Sequence, residues 1–151
     1  MSHHCVKYEA GKNKQYRRYI KMCEKAKEIQ ESHIFKEGDC IFHPREGVLE
    51  VLKIRNDRIT ATPEREVNCP ISECTWLPTE EEIKEIIRSY IVNLAEDILD
   101  IFLDDDKMVY GYKWRPKIFF RTCEEQWLAY YMSEIHNKRW LFKKQEWDKY
   151  K

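Results

Sequence analysis

The segment from Gly47 to Thr62 constrains the fold most. Val48-Leu49-Glu50-Val51-Leu52-Lys53-Ile54 is rich in β-branched and apolar residues. Asn56-Asp57 supplies turn chemistry, and Arg58-Ile59-Thr60-Ala61-Thr62 returns. Two such runs joined by two turn residues fold back as a β-hairpin. Upstream, Lys36-Glu37-Gly38-Asp39 reads as a turn into Cys40-Ile41-Phe42, which Pro44 ends. A hairpin or a three-stranded meander is therefore expected over 40–62. Residues 63–75, punctuated by Pro63, Asn68 and Pro70, read as a loop.

The flanks change period. Tyr16, Tyr19, Ile20, Cys23, Ala26 and Ile29 recur at helical spacing, which predicts one helix over about 12–32 with Cys23 on its apolar face. Thr79 with Glu82 is a capping box opening an acidic helix over 79–103, with Ile83, Ile86, Ile87, Tyr90, Leu94, Ile98 and Phe102 as its stripe. Thr122 with Glu125 repeats the spacing before a third helix over 123–137, with Trp127, Leu128, Tyr131, Met132 and Ile135 inward. Met108–Trp114 and Lys117–Phe120 read as two strands or one strand broken at Pro116. Trp140, Leu141, Phe142 and Trp147 form an aromatic tail that adds a last strand or covers an edge. The expected class is α+β: three helices packed on a small, mainly antiparallel sheet. The 151 residues suit one domain, with residues 1–11 a flexible lead.

Charge is balanced overall, 27 basic against 27 acidic side chains, so the whole chain is not a generic polyanion binder. Locally it is uneven. Residues 79–106 hold ten acidic and two basic side chains, and residues 107–123 hold five basic and none acidic. Asp104-Asp105-Asp106 lacks the alternation of a calcium loop and reads as a solvated turn. No apolar run approaches a membrane span. No apolar stretch follows Met1-Ser2-His3-His4-Cys5, so no secretory signal is expected and the six cysteines are expected to be reduced thiols in a cytoplasm.

Four glycines allow neither a phosphate-binding loop nor a dinucleotide fingerprint. There is no G-x-S-x-G elbow and no H-E-x-x-H. Asp39, Cys40 and His43 make a conceivable nucleophile set, but Cys40 and His43 lie three apart on a strand and face opposite ways. Cys69 and Cys74 are spaced C-x4-C, and a zinc site would need a second ligand pair from distant residues such as Cys40 or His43. Ser2-His3-His4 would form a nitrogen site for Cu(II) or Ni(II) if Met1 were removed; incidental histidines at a chain end are the plainer reading. No catalytic residue, metal site or cofactor is assigned, and binding rather than catalysis is expected. Tyr110, Tyr112 and Trp114 alternate with Lys113, Arg115 and Lys117 nearby. On a sheet face these six residues are the candidate site for a nucleotide or single-stranded nucleic acid; buried, the aromatics are core.

Several segments together resemble a family of small uncharacterised proteins encoded by phages and prophages of Gram-positive bacteria. They are Tyr19 to Gln30, Lys36-Glu37-Gly38-Asp39, Trp76-Leu77-Pro78-Thr79, Glu124 to Met132, and the closing Trp140 and Trp147. The resemblance covers most of the chain; Val48–Thr62 and Asp104–Arg121 fit it less well. It implies no activity and no catalytic residues. It implies expression inside a bacterial host and action on host or phage components. The acidic segment 79–106 and the basic segment 107–123 could also dock against a second copy of the chain, so self-association is the other expectation. Nucleic acid is the alternative partner, and a membrane is not expected.

Overall fold

A computed structural model of the chain describes residues 13–62, 66–90, 120 and 122–149. The chain divides into two compact units, residues 1–78 and 79–151. The class is α+β, as expected. The described residues contain four helices, and every strand pairing among them is antiparallel.

In the first unit, α1 (Asn13–Lys25) and α2 (Lys27–Glu31) precede five strands. These are β1 (Cys40–His43), β2 (Gly47–Arg55), β3 (Arg58–Thr62), β4 (Val67–Pro70) and β5 (Thr75–Trp76). The sheet order is β4-β3-β2-β1-β5: β1 to β4 form a meander, and β5 returns beside β1. Ile41, Leu49, Val51, Ile59, Ala61, Val67 and Cys69 line its buried face, with Phe35, Ile54, Ile71 and Cys74 packed against them.

Strict alternation along β2 would carry Leu49 and Val51 inward together with Lys53. The register breaks between Val51 and Lys53 instead. One extra residue there, Leu52, stands 43% exposed, and the phase shifts so that Ile54 faces the core. A bulge costs a ladder bond locally and here avoids burying an ammonium group.

Two expectations need correcting. The single helix over 12–32 is interrupted at Ala26, whose backbone leaves the helical region (φ −88°, ψ 73°). Glu24, Lys25 and Lys27 are all good helix formers, so tertiary bonding, not propensity, sets the break. Gln30 on α2 reaches Trp76 on β5 by two hydrogen bonds. The expected loop over 63–75 contains β4, a 3-10 turn (Ile71–Glu73) and the start of β5. Val67 and Cys69 are buried while Asn68 is exposed, the period-two signature on a strand too short to stand out. Pro70 is tolerated because it ends an edge strand.

In the second unit, α3 (Glu80–Tyr90) opens with the expected capping box. Glu82 N–H donates to Thr79 Oγ1 (3.2 Å) and Thr79 N–H donates to Glu82 Oε1 (2.9 Å). Thr122 likewise caps α4 (Cys123–His136), accepting from Glu125 N–H at 3.1 Å. Ile83 and Ile87 are buried on α3, and the Lys84 ammonium lies 5.1 Å from the Trp127 ring centroid on α4. Residues Glu124 to Ser133 are buried all round the helix, not along one stripe. Asn137 ends α4 in the left-handed region (φ 57°), its N–H bonded to the Met132 and Ser133 carbonyls. The aromatic tail forms a separate hairpin, β6 (Lys138–Leu141) and β7 (Glu146–Lys149), with Trp140 opposite Trp147 and their rings 5.2 Å apart. No helix among the described residues is long and apolar enough to cross a membrane.

Candidate functional site

The best-defined cluster of chemistry lies where residues 33–39 enter the sheet. Asp39 is 1% exposed. Its Oδ2 meets His33 Nε2 at 2.8 Å and accepts the Lys36 N–H at 2.9 Å. The backbone is tied as well: Gly38 N–H donates to the Val51 carbonyl and Val51 N–H to the Asp39 carbonyl, both at 2.9 Å. Gly38 has φ +91°, a conformation side chains rarely adopt, which turns the chain into β1.

The His33 ring stacks on Trp76, centroids 3.4 Å apart and planes within 2°. Phe35 meets the same imidazole edge-on at 5.5 Å. Trp76 is in turn fixed by Gln30: its N–H donates to Oε1 and its carbonyl accepts from Nε2, both at 2.8 Å. Tyr19 Oη–H donates to the Pro78 carbonyl two residues further on. Asp39 Oδ1 and Trp76 Nε1 are buried with no hydrogen-bond partner.

Between the two fixed rings of His33 and Phe35 stands Ile34, 87% exposed. Leu52 follows the Val51 that bonds this loop, so the exposed isoleucine and the bulged leucine belong to neighbouring stretches of chain. An isolated exposed apolar residue is ordinary on a protein surface. Its sequence neighbours His33 and Phe35 are fixed by ring packing, so little backbone freedom would be lost when a partner covers it.

A second cluster sits at the far end of β1. His43 is buried, and its Nδ1 accepts from the backbone N–H groups of Arg45 (3.2 Å) and Glu46 (3.4 Å). That nitrogen must be unprotonated, so Nε2 carries the hydrogen and donates to Glu73 Oε1 at 2.8 Å. The bond from His43, with the charge of Arg45 also contributing against the effect of burial, holds the Glu73 carboxyl below its usual range. The imidazole thus staples the β1–β2 turn to the 3-10 turn. Beside it, Cys69 and Cys74 bring their sulfurs to 3.5 Å. Burial first, then the neighbouring Cys69, pushes the Cys74 thiol up to about 12.

Asp39, Cys40 and His43 do not come together as one set: Asp39 engages His33, His43 engages Glu73, and Cys40 is disulfide-bonded. The expectation of reduced thiols is corrected at Cys40; Cys23, Cys69, Cys74 and Cys123 are in no disulfide. Cys23 is fully buried, where its helical face placed it. Cys69 and Cys74 do meet, yet no group of three or more His, Cys, Asp or Glu among the described residues could hold a metal ion. Tyr110, Tyr112, Lys113, Trp114, Arg115 and Lys117, with Asp104-Asp105-Asp106, lie outside the described residues.

Sequence reasoning missed the His33–Asp39 pair. Its six-residue separation matches neither a strand nor a helix, and only the Gly38 turn brings the two together. Comparison with protein-family models, curated proteins and solved structures finds no significant match.

Proposed function

We propose that this chain acts by non-covalent binding to another protein, either a host or phage component or a second copy of itself. The loop 33–39 provides the contact. The observation that carries this reading is Ile34: a large apolar side chain, 87% exposed, on a loop whose neighbouring side chains are already fixed. The hydrogen bonds of Asp39 Oδ2 go to holding that loop, which is the behaviour of a scaffold for a contact surface. The phage or prophage setting and the host cytoplasm rest on the sequence resemblance. The disulfide at Cys40 weighs against a reducing compartment.

The test is a photo-crosslinking amino acid placed at position 34 of the full chain, expressed in bacteria, with exposed Ser72 as the control position. Discrete protein adducts at 34 and none at 72 are expected, and Ile34→Asp should lower competition for them by an untagged copy. An adduct of twice the chain mass identifies self-association. Nucleic-acid adducts, or equal labelling at both positions, would refute the reading; the former would move attention to Tyr110, Tyr112 and Trp114.

A further inference from the structure

We infer that Cys69 and Cys74 are one oxidisable site, a dithiol that exchanges with a small-molecule disulfide and closes into an intramolecular bond. This is independent of the binding reading above. The two sulfurs are in contact at 3.5 Å. A disulfide needs about 2.05 Å, so closure asks for a shift of about 1.5 Å, which two side-chain torsions can supply. Cys69 is the last buried residue of β4, and Cys74 follows the 3-10 turn and precedes β5. β4 and β5 are the two outermost strands of the order β4-β3-β2-β1-β5. The bond would therefore close the six-residue loop 69–74 that carries the chain from one edge strand to the other.

Access sets the order of events. Cys74 is partly exposed and Cys69 is buried, so an incoming disulfide meets Cys74 first. The Cys74 thiolate attacks one sulfur of the small disulfide, and one small thiolate leaves and takes up a proton. The Cys69 thiolate then attacks Cys74 Sγ in the mixed disulfide, expelling the second small thiol. The protein loses two hydrogens and the small disulfide is reduced to two thiols. With the Cys74 thiol held near 12, little thiolate exists at neutral pH. The exchange should be slow there and quicken about tenfold for each unit of pH.

The experiment uses the full chain carrying Cys123→Ser, which removes an exposed thiol. It is incubated with oxidised glutathione at about pH 8 and about pH 9, where the thiolate fraction differs about tenfold. Remaining thiols are then alkylated and the peptides mapped. The expected result is loss of Cys69 and Cys74 together into one linked peptide, about tenfold faster at the higher pH. The additional Cys69→Ser change should stop the reaction with glutathione held on Cys74. Retained glutathione on Cys74 in the Cys123→Ser parent chain would overturn the proposal. So would two thiols that stay alkylatable while a urea-unfolded control oxidises. If the Cys69→Ser chain does not fold, the peptide map of the parent chain decides alone.

Discussion

Replacing Gln30 by Ala should release β5 from the helix that holds it. In the antiparallel pair Ile41↔Trp76 the peptide groups of Trp76 point away from β1, toward the open edge, and Gln30 satisfies both. Each bond contributes about 0.5–1.5 kcal/mol net, and each partner left buried and unpaired costs about 1–3 kcal/mol. Because this contact is only part-buried, water can recover some of the loss, and we expect about 2–3 kcal/mol. That corresponds to a roughly 30- to 150-fold drop in hydrogen-exchange protection at the Trp76 amide. Gln30→Glu sharpens the test. The carboxylate still accepts from the Trp76 N–H but faces the Trp76 carbonyl without a donor, so it should be at least as damaging at neutral pH. Its protonated form regains an O–H, so protection in that variant alone should rise as the pH falls toward the carboxyl range. A change under about fivefold for Gln30→Ala, below about 1 kcal/mol, would refute the reasoning. So would an acid response absent from Gln30→Glu.

Three further outcomes are expected. Thr79→Ala should cost about 1 kcal/mol in urea unfolding, and a double-mutant cycle with Glu82→Ala should show favourable coupling, since each residue bonds the other's amide. Asn137→Ala should cost about 1 kcal/mol or less, because alanine keeps the Cβ but lacks the short polar side chain that lets asparagine tolerate the left-handed region, whereas Asn137→Gly removes the Cβ and should be neutral or stabilising. Glu73 has its folded pKa lowered from the ordinary 4.5, so it stabilises the fold above that value and loses this contribution as the pH falls through the lower one. The stability gap between the natural chain and Glu73→Gln should therefore narrow with acidification below 4.5; a gap that widens would contradict the His43–Glu73 bond.

What could be read in advance was local. The β2–β3 hairpin, both threonine caps and the burial of Cys23 depend on residues a few positions apart, and the structure has all of them. What could not be read depends on distant partners. β5 is two residues long and exists because β1 and Gln30 lie on either side of it. The break at Ala26 has no proline or glycine to announce it. The His33–Asp39 pair and its stack on Trp76 need a turn, a strand and a residue far along the chain to coincide. The bulge at Leu52 lies between these cases. Leu49, Val51 and Ile54 carry its phase shift in the sequence, yet a run of apolar residues passes for an unbroken strand until the register is known.

The amide of Gln30 also governs how the sheet can grow. An edge strand with free peptide groups is a template on which a second chain can extend the ladder, and proteins commonly block such edges. Here a side chain stands in for the missing strand at Trp76, taking the donor and acceptor that an invading segment would need. Any association of this molecule through that edge must first unseat α2. Contact through side chains therefore carries a lower barrier there than runaway strand addition.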